Sequence, residues 1–395
     1  MKKYYFTSES VTEGHPDKIC DKISDKILDT ALSQDKDSRM AVETTIKDNL
    51  IFIYGEATTR AKLDYSQIAK EVLKDIGYKE EFEVIIKVST QSSEINKAVN
   101  QEEIAAGDQG IMFGYATNET DNYMPLAITL ANKLAKELAT VRKQDKNTPL
   151  KPDGKTEVTL EYIDGKVSRI DTIIIATQHI KKISQKDLKE YIIKHVINKV
   201  IPKKLIDNKT KILINTSGSF TIGGPFGDSG TTGRKIIVDT YGGASRIGGG
   251  CFSSKDPSKV DRSAAYYARF VAKNIVAHHL ADKCEIQVSY AIGKKDPISI
   301  FIETFNTEKV SLEYIYKFVE ENFNFSVGNI INELDLLNIK YYDLAAYGHF
   351  GRDDLDLPWE KIKKIKKIVN WLFLFFYTQI FICFLSNYST PSSSF

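Results

Sequence analysis

Two adjacent strand-forming runs, then a helix, then a further strand: this order recurs three times along the chain, and it constrains the fold more than any other feature. In the first round, apolar Ile19, Ile23, Ile27, Leu28 and Ala31 predict a helix over Asp17–Asp35, with Asp17 placed to cap it. The β-branched runs Met40–Ile46 and Leu50–Ala57 flank Lys47-Asp48-Asn49 as a hairpin, followed by a helix near Tyr65–Ile76 and a strand at Glu83–Ser89. The second round places a hairpin turn at Asp164-Gly165 between Val158–Ile163 and Lys166–Thr177. A helix then runs from Ser184 to about Val200, and Lys211–Asn215 is a strand. The third round is read as a strand at Lys235–Val238, a long helix at Asp261–Ala281, and strands near Glu285–Ile292 and Ile298–Phe305. This predicts an α+β protein of three similar domains with helices on one face of each sheet, at 3–98, 104–221 and 223–361. It differs from the strict alternation of a doubly wound parallel sheet. Asn96–Gly107 and Lys143–Gly154, the latter carrying Pro149, Pro152 and Gly154, read as connecting loops.

Charge narrows the functional classes. Lys and Arg number 54 against 52 Asp and Glu, a formal net charge of +2. Residues 361–395 contribute five lysines and no acid, so residues 1–360 carry 49 bases against 52 acids, a net of −3. A body of that charge does not predict nonspecific nucleic-acid binding. Cys20, Cys251, Cys284 and Cys383 stand far apart, with no Cys-x-x-Cys, which argues against zinc and a disulfide framework. The N-terminus lacks the apolar run of a signal peptide, and a cytoplasmic location follows as the expectation.

Glycine is concentrated. Eleven of the 23 glycines fall between Gly218 and Gly250, interleaved with Asp228, Arg234, Lys235, Asp239 and Arg246. Gly248-Gly-Gly-Cys-Phe-Ser-Ser-Lys255 follows, then Lys259 and the start of a helix. Glycines admit close approach of backbone amides to a polyanion, and the cations neutralise it, so this stretch suits a polyphosphate. Tight turns with solvated charges are the plainer alternative. No Walker-type phosphate loop occurs, and no Gly-x-Gly-x-x-Gly follows a strand. Gly14-His15-Pro16-Asp17-Lys18 offers a phosphate-contacting His beside a carboxylate for a hard cation, or a capped turn. Gly107-Asp108-Gln109-Gly110 is a polar turn able to meet a ribose or merely reverse the chain. Lys151-Pro-Asp-Gly154 matches the four-residue signature of covalent nucleotidyl-transferring ligases, a short match in a predicted loop.

Together, Phe6–Lys18, Ala106–Glu119, Gly223–Tyr241, Gly248–Ala265, Glu285–Gly293 and Ala345–Arg352 resemble the S-adenosylmethionine synthetase family in order and along nearly the whole chain. The resemblance implies three domains about a pseudo-threefold and a homodimer or homotetramer with active sites between subunits. It also implies conversion of ATP, L-methionine and water to S-adenosylmethionine, phosphate and pyrophosphate, with two Mg²⁺ per site and K⁺. By the same resemblance His15, Lys155, Arg234 and Lys235 are catalytic. Asp108, Asp153, Phe220, Asp228, Cys251 and Lys255 join them in binding ATP, and Glu56, Gln91, Asp228 and Lys259 bind methionine. Asp17 and Asp261 hold Mg²⁺, Glu43 holds K⁺, and Gln91–Gly107 is a loop over the site. Ser219, Cys251 and Ser254 depart from the family's usual Arg, Ala and Gly. The stretch 362–395 departs further: Ile368–Leu385 is 18 uncharged residues, seven of them aromatic, after five lysines. It reads either as a C-terminal membrane anchor, the one route to membrane contact, or, favoured by the abrupt change, as sequence out of the native reading frame past about Ile362.

Overall fold

The computed structural model describes residues 2–90 and 104–365. Gln91, most of the Asn96–Gly107 connection and the apolar tail from residue 366 lie outside the described residues. The described residues of Met1–Lys361 form one compact unit.

Each third of this unit repeats one order of elements, the last without a closing strand among the described residues. The first is β1 (Lys3–Val11), α1 (Pro16–Gln34), the hairpin β2 (Arg39–Lys47) and β3 (Leu50–Thr58), α2 (Tyr65–Ile76) and β4 (Glu83–Ser89). The second is β5 (Gly110–Thr117), α3 (Leu126–Gln144), β6 (Leu150–Ile163), β7 (Lys166–His179), α4 (Gln185–Ile192) and β8 (Lys211–Ile214). The third is β9 (Gly230–Thr231), α5 (Val260–Ala277), β10 (Lys283–Tyr290), β11 (Ser299–Glu303) and α6 (Leu312–Asn322).

The sheets are not built from single thirds. Their strand orders are β4-β3-β2-β9, β1-β6-β7-β8 and β11-β10-β5. Each third thus gives its opening strand, antiparallel, to the hairpin of another: β1 to β6, β5 to β10 and β9 to β2. The exchange is cyclic, which gives the pseudo-threefold a physical cause, since no third completes its sheet alone. The strand after the second helix runs parallel to the hairpin, β4 beside β3 and β8 beside β7. The first long helix of each third covers its own hairpin and a neighbouring donated strand, α1 on β2 and β9, α3 on β6 and β1, and α5 on β10 and β5. Ile19, Ile23 and Ile27 of α1 are fully buried, each contributing ~1.5–3 kcal/mol of transfer free energy. Local chemistry fixes the joints: Asp164 (φ 49°) and Gly165 (φ 80°) turn the β6–β7 hairpin, and Gly77 (φ 111°) ends α2.

Two sequence expectations are corrected. Ile236–Asp239 is a short helix rather than a strand. The run has no strand partner, and Asp239 N–H donates to the Lys235 carbonyl while Thr240 Oγ1 donates to that of Ile236. Within Lys143–Gly154, only the first part is a loop, because β6 already begins at Leu150. Pro152 falls where the β6–β7 register shifts between Leu150 and Gly154, one of the few places a sheet accepts proline.

Candidate active site

The C-terminal end of β1 and the N-terminus of α1 meet β6 and the β9 segment. His15, not Asp17 as the sequence predicts, caps α1, because the helix starts one residue before Asp17; its Nδ1 accepts from Asp17 N–H at 3.2 Å, so the ring proton sits on Nε2. Burial first, then the Lys235 ammonium, push the imidazole pKa down to about 4, and the ring is neutral at neutral pH. Pro16 at the first helical turn presets the backbone. Asp17, 1% exposed, accepts from Thr231 N–H (3.0 Å) and Lys235 Nζ (2.9 Å), with Arg234 Nε 3.4 Å away. Lys155 stands opposite Val11 across the β1–β6 ladder, within electrostatic reach of His15, its Nζ 3.4 Å from Glu9. The residues around His15 close in tightly: a Cβ on Gly14 would fall 2.4 Å from Pro152, and the Tyr78 hydroxyl donates to the Gly14 carbonyl.

Asp153 is buried on the same side, where it accepts from Gly224 N–H at 2.7 Å. Burial raises its pKa to about 6 against the pull of the Gly224 and Gly154 amides, and the Asp228 carboxylate raises it further. Phe220 lies against Gly223 beside Asp153, where any Cβ would strike its ring. His179 N–H donates to the Phe220 carbonyl at 2.9 Å, and the His179 side chain accepts from Phe220 N–H through Nε2 at 3.0 Å.

A second group gathers on the loop before α5. Lys255 bridges to Ala41 of β2, which pairs with Glu56 of β3. The Lys255 ammonium is paired with Asp261, whose carboxylate lies against Gly250 and Gly110. Lys259 pairs with Asp256 at 3.3 Å and touches Gly107, next to exposed Asp108. Cys251 abuts Gly233 and lies within the fields of Lys255, Glu43 and Asp261; burial pushes its thiol up to about 11, so it is no nucleophile. Glu43 meets the Tyr54 hydroxyl at 3.4 Å.

The structure therefore brings His15, Asp17, Lys155, Arg234 and Lys235 together, with Asp153 and Phe220 nearby, and collects Lys255, Lys259 and Asp261 at the start of α5. Among the described residues no group of three His, Cys, Asp or Glu is placed to hold a metal ion. Instead, each of two carboxylates, Asp17 and Asp261, is paired with a lysine. A single hard carboxylate beside cations that grip phosphate fits Mg²⁺, which typically takes one or two carboxylates and completes its shell with phosphate oxygens and water. Residues that sequence reasoning passed over lie behind these groups: Asp21, Asp25, Thr231, Gly233 and Arg262. Their signal was present, an aspartate at every fourth position of α1.

The class these features define is a three-repeat α+β protein whose described residues gather Lys155, Arg234 and Lys235 around one buried carboxylate and a neutral histidine. Comparison with known proteins makes it particular. Models of the N-terminal, central and C-terminal domains of S-adenosylmethionine synthetase match residues 3–103, 103–220 and 222–361. The S-adenosylmethionine synthase of Oenococcus oeni is 52% identical over 383 residues, covering 93% of this chain and 98% of the relative. Those of Clostridium botulinum and Corynebacterium urealyticum are 50% and 49% identical, covering 94% and 93% of this chain and 100% and 98% of the relatives. The chain belongs to the S-adenosylmethionine synthetase family, and its activity is that of a methionine adenosyltransferase, forming S-adenosylmethionine from ATP and methionine.

Proposed function

We propose that the His15–Asp17–Lys235 cluster stabilises tripolyphosphate as it leaves ribose C5′ and then supports its hydrolysis to phosphate and pyrophosphate. The methionine sulfur attacks C5′ with a neutral lone pair and becomes a sulfonium, so no general base is needed. The difficulty lies with the leaving group, on which negative charge builds. His15, neutral and carrying its proton on Nε2, donates to a triphosphate oxygen, while Lys155, Arg234, Lys235 and Lys255 hold the rest. Asp153 and Phe220 receive the nucleoside with Asp108 and Cys251. Glu56, Gln91, Asp228 and Lys259 receive methionine. Asp17 and Asp261 would hold Mg²⁺, which when bound neutralises phosphate charge, and Glu43 would hold K⁺.

The observation that carries this reading is one buried carboxylate, Asp17, binding two cations beside a neutral histidine at a helix N-terminus. The family assignment supports an active site shared between two copies of the chain, the Lys255–Asp261 group of one meeting the Asp17 group of the other. Exposed apolar side chains on the sheets, Phe52, Ile85, Ile111 and Phe301 among them, supply surface for a homodimer or homotetramer. Unpaired Cys20, Cys251 and Cys284 and the near-neutral body fit a cytoplasmic enzyme that binds no nucleic acid. No described helix is long and apolar enough to cross a membrane.

The test is phosphorus NMR on the full chain with ATP, methionine, Mg²⁺ and K⁺. Phosphate and pyrophosphate should appear in equal amounts with S-adenosylmethionine, and Lys235→Ala should slow both. Accumulation of intact tripolyphosphate by the wild type would refute the hydrolytic step.

A further inference from the structure

Helix α1 begins with a four-residue repeat, Asp17-Lys-Ile-Cys-Asp21-Lys-Ile-Ser-Asp25-Lys-Ile-Leu-Asp29. Spacing of four sets successive carboxylates on one slowly turning face. Each of them accepts backbone amides from a remote segment: Asp17 from Thr231 (3.0 Å), Asp21 from Gly233 (2.8 Å), Asp25 from Ser254 (3.1 Å), and Asp29 from Tyr341 and Tyr342 (both 2.9 Å). Asp21 and Asp25 are wholly buried. The second oxygen of Asp21 takes Lys18 Nζ at 3.0 Å, and Lys18 in turn pairs with Asp239. Asp25 receives the Arg262 guanidinium on both oxygens (2.8 Å each) and the Ser253 hydroxyl at 2.9 Å.

Gly233 immediately precedes Arg234 and Lys235, and Ser254 immediately precedes Lys255. The two cation-bearing segments therefore hang from neighbouring turns of one helix. We propose that Asp21 and Asp25 are positioning residues that fix Arg234–Lys235 and Lys255 where the polyphosphate meets them; this deepens the proposed function and rests on its assignment of those cations. Cohesion alone would not call for carboxylates, since apolar residues of similar size fill a core without their desolvation cost. What a carboxylate adds is a directed bond to a backbone amide that has no sheet or helix partner. Both segments need one. Gly233 (φ 80°) has glycine's conformational freedom, and Ser254 (φ 82°) holds a backbone conformation that a side-chain-bearing residue adopts only when restrained. Cations on untethered loops would reach the phosphates in many geometries, and misplacement of about 1 Å costs ~10²-fold in rate.

The experiment uses the full chain with Mg²⁺ and inorganic tripolyphosphate as the probe, read by calorimetry, alongside KM for ATP and kcat. Asp21→Ala and Asp25→Ala should weaken tripolyphosphate binding by about tenfold or more. Asp21→Asn, which keeps an acceptor for Gly233 N–H, should bind within a few-fold of wild type. Glu360→Gln breaks a buried network of Arg269 and Lys273 elsewhere, so it should lower the melting temperature and leave binding unchanged. Normal binding by folded Asp21→Ala and Asp25→Ala overturns the proposal, as does an equal loss in Glu360→Gln. Should the alanine variants not fold, amide exchange in the wild type decides: slow exchange at Gly233 and Ser254 before any ligand supports the tether, and fast exchange refutes it. Lys235→Ala separates the two levels. If it binds tripolyphosphate as well as wild type, the functional reading fails and takes this inference with it; if it alone loses binding, only the tether fails.

Discussion

Asp17 and Asp261 are both carboxylates at helix starts paired with a lysine, yet their surroundings differ. Asp17 is almost wholly buried, bonded to the Thr231 amide and to Lys235, with Arg234 close by. Asp261 keeps 17% of its side chain exposed, and Lys255 is its side-chain partner across a glycine-rich turn. The first carboxylate is held by a backbone amide and a lysine; the second is held by the side chain of Lys255. A site that must hold a highly charged leaving group and later release it can use one wall tied to the backbone and one held by a side chain.

That contrast can be broken by substitution, and activity should show the largest effect. Asp17→Ala and Asp261→Ala should each lower kcat by ~10²–10³-fold, the usual cost of losing an electrostatic contact in the transition state. Only Asp17→Ala should also lower the melting temperature, because it removes a buried carboxylate that holds the Thr231 amide; equal thermal shifts in calorimetry would erase the distinction.

Next come the buried supports. Arg262→Met leaves Asp25 without its fully buried partner and should cost about 3–5 kcal/mol in denaturant unfolding. Lys255→Met breaks a pair whose side chains keep 19% and 17% of their exposure and should cost less than Arg262→Met does.

The glycines sharpen the comparison. A Cβ on Gly230 would lie 2.2 Å from the Pro16 backbone, which cannot yield, whereas one on Gly250 meets the Asp261 carboxylate, which can swing away. Gly230→Ala should therefore lose soluble folded protein. Gly250→Ala should fold with nearly wild-type melting temperature and lose affinity for Mg²⁺ and ATP. Normal Mg²⁺ affinity in Gly250→Ala would show that Asp261 is not where the metal is held.

The last expected effect concerns Asp153 and depends on pH. Its carboxyl ionises near pH 6 in the folded chain, above its unfolded value, so the native state is favoured by a proton it must release as pH rises. The penalty is absent below about pH 4 and complete above about pH 6. Asp153→Asn should be ~1–3 kcal/mol more stable than wild type at pH 7.5 and equal at pH 4, with a raised KM for ATP. No difference in stability at pH 7.5 would contradict the burial argument.

Much of the fold was legible where the determinants are local. Asp164-Gly165 announces its hairpin, and the isoleucine spacing announces α1. The donated strands β1, β5 and β9 were not legible, because each is defined by a partner far along the chain: Phe6 pairs with Leu160, and Thr231 with Thr45. Pro152 misled for the opposite reason, since a residue that usually punctuates a loop here occupies a strand irregularity. At the site, motif residues around His15 and Lys235 stood out by composition. The supporting aspartates did not, although their four-residue spacing was in plain view, because acids spaced on a helix ordinarily face water.

We propose that the Asp17 and Asp261 groups are two halves of one active site, completed between two copies of the chain. Co-expressing Asp17→Asn with Asp261→Asn tests it directly. Random pairing makes half the dimers mixed, each with one intact site, so S-adenosylmethionine formation should return to about a quarter of wild type although each variant alone is inactive. A mixture no more active than its parents would contradict the claim.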